Sequence, residues 1–228
     1  GRYHWFDGDG MLHGVYFNEG KVSYRNRYVQ TKGFQHEAIE ERAIWTGLLE
    51  NKKHNPFFEK EKNTSNTDVV FHNGNLLSLW YRAGQPYKVD ARTLETIGIE
   101  DFGGQLQCNV SAHSKVDEQT GEFLFFDYGQ TYPYMMYGVA SATGELVHCV
   151  PIELPGPRLP HDMAITKNYS ILMDLPLFND PEAAKLGFYK SKFFRELPSR
   201  FGIIPRYGSA EEIKWFESSP CYIYHVVN

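Results

Sequence analysis

The chain has 228 residues, of which 42% are hydrophobic, so it is long and apolar enough to bury a sizeable core. Its formal net charge of -5 excludes the strongly basic balance that nucleic-acid binding requires, and we expect no nucleic-acid partner. No segment has the apolar length of a bilayer-spanning helix, and residues 1–6 have the pattern of a strand rather than of a targeting signal, so we expect a cytoplasmic protein.

Short strand-like runs joined by turn residues recur along the chain, a pattern typical of an all-β protein. The aromatic content of 15% and the 20 glycines agree with many strands and tight turns. The predicted strands, in chain order, are residues 14–17, 22–25, 67–72, 76–80, 123–127, 134–139, 145–150, 169–173 and 221–227. Evenly spaced hairpins of this kind favour a sandwich, a barrel or a propeller.

Two segments break the rhythm of the hairpins. Residues 37–49 have the pattern of a short helix, and residues 180–200 mix apolar and basic side chains in a long insertion. The three cysteines, Cys108, Cys149 and Cys221, are an odd number and have no CxxC spacing, which argues against a disulfide framework or a zinc site. We expect each of them to be a small buried hydrophobic residue.

Three of the nine histidines lie in or beside strand-like segments that we expect to be buried, namely His113, His161 and His225. A histidine in such a place is more often a hydrogen-bonded core residue than a metal ligand. The wide spacing of the three also matches no local metal motif. From the residues alone, both interpretations stay open.

Five stretches of the chain, in order, resemble signature segments of the carotenoid cleavage oxygenase family. They are residues 3–13, 24–29, 111–117, 161–166 and 215–228, and together they extend over essentially the whole chain. Several independent motifs in one order make this resemblance much more specific than a single short motif.

The resemblance implies a seven-bladed β-propeller with one Fe(II) ion held on its axis by four histidines. His113, His161 and His225 match the first three ligands, and the fourth is expected beyond Asn228. Residues 1–228 are therefore expected to form a single domain that is a truncated part of the propeller. The implied reaction cleaves a conjugated C=C bond of a carotenoid or apocarotenoid with O₂ and yields two carbonyl products.

Two positions depart from patterns found in relatives. Tyr81 stands where many relatives have a glutamate that orients a ligand histidine. Three interpretations stay open: the Tyr81 hydroxyl accepts this hydrogen bond, a water takes the role, or Tyr81 faces outward. Trp80 stands where lignostilbene-cleaving relatives have a lysine that contacts a substrate phenol. This difference favours a carotenoid or apocarotenoid over a stilbene.

Two other functions stay open at this point. One is a stilbene- or phenylpropanoid-cleaving dioxygenase of the same fold, and the other is a non-catalytic truncated propeller that binds apolar ligands. We also predict that residues 176–201 lie near the substrate entrance and touch a membrane surface, because aromatic and basic side chains alternate there. The alternative for this segment is ordinary packing over a neighbouring blade.

Overall fold

The structure, a computed structural model, describes residues 4–56 and 61–227. Its first unit is an antiparallel hairpin of β1 (Met11–Asn18) and β2 (Lys21–Tyr28), as the sequence predicts. The strand predicted over residues 1–6 is wrong for the part described, because Trp5–Asp7 form a 3₁₀ turn. The turn is capped from both sides, since the Phe6 amide donates to His4 Nδ1 and the His4 amide donates to the Asp7 carboxylate. Residues 1–3 lie outside the described residues.

The helix α1 spans Lys32–Glu40, so the helix predicted over residues 37–49 is displaced toward the N-terminus. Thr31 caps its start by accepting a hydrogen bond from the Phe34 amide. The helix ends at Glu41, whose backbone is left-handed with φ 53°. The Glu37 carboxylate then accepts hydrogen bonds from two backbone amides after the helix, that of Ile44 at 2.8 Å and that of Trp45 at 3.3 Å. These bonds draw the chain back against the helix.

Three four-stranded antiparallel sheets make up most of the described chain, which confirms a mostly β protein. The first sheet contains β3 (Asp68–His72), β4 (Asn75–Leu79), β5 (Tyr87–Val89) and β6 (Thr96–Ile99). The second contains β7 (Lys115–Val116), β8 (Phe123–Tyr128), β9 (Tyr134–Ala140) and β10 (Leu146–Glu153). In both sheets, strands that follow each other in the chain are also neighbours in space.

The third sheet contains β11 (Ala164–Ile165), β12 (Tyr169–Asp174), β15 (Ser199–Pro205) and β16 (Lys214–Ser218). Between β12 and β15 the chain leaves this sheet and forms a separate hairpin of β13 (Leu177–Asn179) and β14 (Ser191–Phe193), with the short helix α2 (Pro181–Lys185) between them. This excursion corresponds to the insertion that the sequence predicts. Two further 3₁₀ turns, Lys52–His54 and Ala210–Glu212, complete the elements.

Strand β8 is buried on both faces and joins the two hydrophobic clusters of the core. Phe123 and Phe125 belong to the cluster shared with the first sheet, whereas Leu124 and Phe126 belong to the cluster shared with the third sheet. Successive side chains of a strand point to opposite faces, so one apolar run fills both layers. The second sheet is therefore packed between the other two.

The strand predicted over residues 221–227 is wrong, because these residues have no regular secondary structure. Two of their amides donate to side chains instead of to a neighbouring strand. The Cys221 amide donates to Ser199 Oγ at 2.8 Å, and the Val226 amide donates to Asp162 Oδ2 at 2.9 Å. Asn228 lies outside the described residues. Within the described residues, no helix has the length and apolar character needed to cross a membrane.

Arg206 ties the second sheet to the third through a nearly buried ion-pair group. Its guanidinium contacts Asp117 Oδ2 at 2.5 Å and Glu122 Oε2 at 3.2 Å, while its side chain is only 6% exposed. Nε and Nη2 also donate to the carbonyl of Thr166, in the turn between β11 and β12. Three segments from two sheets therefore depend on one side chain.

We predict that Arg206→Met lowers the free energy of unfolding by about 3–5 kcal/mol, because the change leaves two carboxylates without their cation in a mostly buried site. The matched control is Lys185→Met, which breaks the exposed ion pair with Glu182 and is expected to cost less than about 0.5 kcal/mol. Urea unfolding followed by tryptophan fluorescence measures both. Equal losses for the two variants would contradict the assigned role of Arg206.

Candidate metal centre

The candidate site lies where the first strands of successive sheets begin. Asp68 is the first residue of β3, His113 comes just before β7, and His161 comes just before β11. Each of these three strands is the first strand of its sheet in the chain and lies at one edge of that sheet. All three begin in the same region of the molecule. The repeated topology therefore brings distant residues together.

His113 is held by a buried backbone segment. The Ser111 amide donates to the Phe126 carbonyl at 2.8 Å, and the Ala112 amide donates to the Trp80 carbonyl at 3.1 Å. His113 itself has a left-handed backbone with φ 58°, which costs a non-glycine residue about 1–3 kcal/mol. The flanking hydrogen bonds thus hold the backbone of His113 in an otherwise unfavourable conformation, which fixes the direction of its side chain.

Asp68 orients the His113 ring. The Nδ1–H group of His113 donates to Asp68 Oδ2 at 2.7 Å, which leaves Nε2 as the nitrogen with a free lone pair. Burial raises the pKa of Asp68, but hydrogen bonds from His113 and from the Val69 amide outweigh it and hold the pKa below its ordinary value. The carboxylate is therefore charged at neutral pH.

Asp162 connects the segments of all three histidines. Its Oδ1 contacts Lys115 Nζ at 2.6 Å, next to the His113 segment, and its Oδ2 accepts the Val226 amide at 2.9 Å, next to His225. Asp162 itself follows His161, and its side chain is 2% exposed. One buried carboxylate thus fixes the three segments relative to one another.

The three imidazoles converge. The ring centroids of His113 and His161 are 4.7 Å apart, those of His113 and His225 are 4.6 Å apart, and those of His161 and His225 are 5.2 Å apart. One ring nitrogen from each lies within 4.8 Å of the others. Among residues 4–56 and 61–227, this is the group of histidine, cysteine and acidic side chains close enough to hold a metal ion.

The donor set fits a first-row transition metal. Imidazole suits iron, zinc, copper and nickel, and histidine nitrogens bind such ions at about 2.0–2.1 Å. Burial, followed by the proximity of His113 and His225, lowers the pKa of His161 to about 4. His161 is therefore neutral at pH 7, as a metal ligand must be. The His225 side chain is 60% exposed and is the most accessible of the three.

Tyr81 lies in the wall of the same site, but its hydroxyl lies beside the Arg82 guanidinium. Burial raises the pKa of Tyr81 to about 12. The partner of His113 is Asp68 and not Tyr81. Sequence reasoning missed Asp68, because its contact with His113 joins residues 45 positions apart and no local motif marks it.

A cavity of about 560 Å³ opens beside the three histidines. Aromatic side chains form much of its wall: Trp5, Phe6, Tyr81, Tyr128, Tyr189, Tyr222 and Tyr224. Several hydroxyls of these tyrosines are already bonded within the protein. Tyr222 donates to the Leu159 carbonyl at 2.9 Å, and Tyr128 donates to the Tyr81 carbonyl. At Tyr128 and Tyr222 the wall therefore offers mainly ring faces.

Comparisons with known proteins agree on one family. The family model described as retinal pigment epithelial membrane protein, RPE65, matches residues 1–228. The chain is 37% identical to a carotenoid 9,10(9',10')-cleavage dioxygenase of Crocus sativus and 36% identical to resveratrol cleavage oxygenase 1 of Aspergillus fumigatus. The matches cover 99% and 98% of this chain but only 45% and 46% of those proteins, so the chain spans about half their length.

Solved structures give the same result. The lignostilbene dioxygenase of Pseudomonas brassicacearum superposes with a TM-score of 0.83 at 36% identity, over 93% of this chain and 45% of that chain. Cobalt-substituted apocarotenoid oxygenase of Synechocystis superposes with a TM-score of 0.80 at 25% identity, over 97% of this chain and 50% of that chain.

We predict that the metal-free chain loses stability as the pH falls from about 6.5 to about 4, partly through His161. The unfolded chain protonates this histidine below its ordinary pKa of 6.5, whereas the folded chain resists protonation down to about 4. Its contribution is therefore complete above pH 6.5 and lost below pH 4. Because the group is partly open to solvent, we expect a share of about 1–2 kcal/mol.

Urea unfolding in chelator at several pH values measures this effect. His161→Gln should show a flatter dependence on pH across that window, whereas the exposed His54→Gln should keep the wild-type slope. Identical slopes for His161→Gln and the wild type would contradict the prediction.

Proposed function

The chain belongs to the RPE65/carotenoid cleavage oxygenase family, and on that premise we propose that it carries the metal centre of a non-haem iron(II) dioxygenase that cleaves a conjugated C=C bond of a carotenoid or apocarotenoid. The observation that carries the proposal is the convergence of His113, His161 and His225 beside an aromatic cavity. Because the chain spans about half the length of its relatives, the activity is proposed for the whole protein.

The proposed architecture is a seven-bladed β-propeller, of which residues 1–228 form part of one domain. The three successive four-stranded antiparallel sheets support it, since each has the form of a propeller blade. In a propeller, equivalent ends of the blades meet at a central axis. Ligands at the starts of successive sheets would then point to that axis, as proposed for His113 and His161.

His113, His161 and His225 would hold the iron ion, and the family pattern adds a fourth histidine. When bound, Fe(II) activates O₂, whose two oxygen atoms end in the two carbonyl products. The roles of this chain's residues are to bind and to orient. Asp68 keeps the proton of His113 on Nδ1 and so presents Nε2, and a carboxylate in this position also makes the imidazole a stronger donor.

The cavity supports an apolar, extended substrate. Its aromatic ring faces suit a polyene, and the hydroxyls of Tyr128 and Tyr222 are already bonded within the protein. Trp80, at the position of the lysine in lignostilbene-cleaving relatives, is buried with 8% exposure and offers no ammonium group. A stilbene or phenylpropanoid stays the second candidate, because relatives include proteins named resveratrol cleavage oxygenase and isoeugenol monooxygenase.

We predict that His161→Ala abolishes iron binding and oxygen consumption, because one of the three converging imidazoles is lost and its neighbours cannot replace it. Asp68→Asn should keep the hydrogen bond without the charge and weaken iron binding by about 10–100-fold. His54→Ala, an exposed histidine outside the cluster, is the control and should bind iron as the wild type does. Iron content after dialysis against graded chelator, with circular dichroism to check folding, distinguishes the three variants.

Product analysis by mass spectrometry under ¹⁸O₂ tests the reaction itself, with an apocarotenoid, resveratrol and isoeugenol as separate substrates. Labelled carbonyl products from the apocarotenoid support the main proposal, and labelled products from resveratrol alone support the second candidate. A protein that binds no iron and consumes no O₂ with any of them would contradict both candidates and favour the third one, a non-catalytic truncated propeller that binds apolar ligands.

Membrane contact is proposed for a smaller part of residues 176–201 than the sequence suggests. Most aromatic side chains there are packed, as in the stacked rings of Phe178 and Phe194, whose centroids are 4.1 Å apart. Leu186 is 64% exposed and Phe188 is 36% exposed, and the exposed Lys185 lies beside them. This apolar tip with a basic neighbour is the part suited to an anionic lipid surface.

We predict that Leu186→Ser combined with Phe188→Ser reduces flotation with anionic liposomes at least several-fold, because two exposed apolar side chains are removed. The paired change Leu12→Ser and Val15→Ser on the β1–β2 hairpin, also partly exposed, is the control and should leave flotation unchanged. If the wild-type protein does not float, or if both paired variants float equally well, the segment has no membrane role.

A further inference from the structure

Two cysteines that are far apart in the chain lie side by side. The Sγ atoms of Cys108 and Cys149 are 3.9 Å apart, and both side chains are half-buried. Cys108 belongs to the segment that leads into His113, whereas Cys149 lies on β10. The proposed dioxygenase activity uses neither thiol.

The second sheet positions this pair. Cys149 pairs with Gly138 of β9, which in turn pairs with Phe125 of β8. On the other side, the Asn109 amide donates to the carboxylate of Asp127 on β8 at 2.9 Å and holds the neighbouring Cys108 against the sheet. Both cysteines are therefore attached to one rigid framework, so their approach does not depend on a mobile loop.

We propose that Cys108 and Cys149 form a dithiol site that a small-molecule disulfide, such as glutathione disulfide, converts to an intramolecular disulfide. The S–S bond needs a separation of about 2.05 Å, so the two sulfur atoms must approach by about 1.9 Å, within the range of side-chain rotation. The new bond would clamp the segment that carries His113 to β10.

The exchange takes two steps and two electrons. The Cys149 thiolate attacks one sulfur of glutathione disulfide, forms a mixed disulfide and releases one glutathione thiolate. The Cys108 thiolate then attacks the Cys149 sulfur and releases the second glutathione. The protein dithiol is oxidised, glutathione disulfide is reduced to two glutathione molecules, and the two thiol protons end on them.

The environment favours this order of attack. The contact between the two thiols lowers the pKa of Cys149, and the same contact, together with burial, raises the pKa of Cys108. Cys149 is then the better first nucleophile, because exchange proceeds through the thiolate. Cys221 offers an internal comparison, since its sulfur contacts Ser199 Oγ at 3.4 Å, a hydroxyl in place of a thiol.

The test is to equilibrate the purified chain with glutathione disulfide, quench it in acid, and count free thiols after denaturation. We expect the count to fall from three to one, with the remaining thiol at Cys221 and a linked pair of peptides containing Cys108 and Cys149. Dithiothreitol should restore all three thiols. In Cys221→Ser the count should fall from two to zero with the same linked peptides.

Cys108→Ser and Cys149→Ser should form no intramolecular disulfide under these conditions. If either serine variant fails to match the wild-type circular dichroism spectrum, the corresponding alanine variant replaces it. Retention of three thiols by the folded wild-type chain would overturn the proposal. Glutathione adducts on both cysteines without a link, or a link that includes Cys221, would also overturn it.

Discussion

The buried carboxylate of Asp162 is the contact on which the arrangement of the site depends. It binds Lys115 beside the His113 segment, follows His161 directly, and accepts the amide of Val226 beside His225. A carboxylate that is 2% exposed is stable only when its oxygens are bonded, so the three segments cannot separate without leaving a buried charge unpaired. The convergence of the imidazoles is thus secured by their neighbours in the chain and not by contacts between the rings.

The sheets supply the rigid support for this contact. Because β8 is apolar on both faces, the second sheet is held between the first and the third. The starts of β3, β7 and β11 are therefore fixed relative to one another. Arg206 adds a polar link between the second sheet and the third. Residues that bind a metal need positions fixed to a fraction of an ångström, and strands packed on both faces offer that precision better than free loops.

Charge is distributed unevenly around the site. The three candidate ligands are imidazoles, and two carboxylates lie nearby. Asp68 accepts the ring N–H group of His113, and Asp162 binds Lys115 and accepts the amides of Met163 and Val226. The negative charges therefore lie behind the ligands and not among them. A bound cation would keep its charge toward the aromatic cavity, where an apolar substrate and O₂ could approach it.

The sequence by itself determined the hairpins, because turn residues between alternating apolar runs are local signals. Its motifs, in the order of a known family, predicted that His113, His161 and His225 act together. Only the tertiary structure decided features that depend on distant partners. Residues 221–227 look like a strand, yet the amides of Cys221 and Val226 bond to the side chains of Ser199 and Asp162, and the segment joins no sheet. The pairing of Asp68 with His113 likewise arises only when two sheets pack, since a hydrogen bond between residues far apart in the chain leaves no pattern in the local sequence.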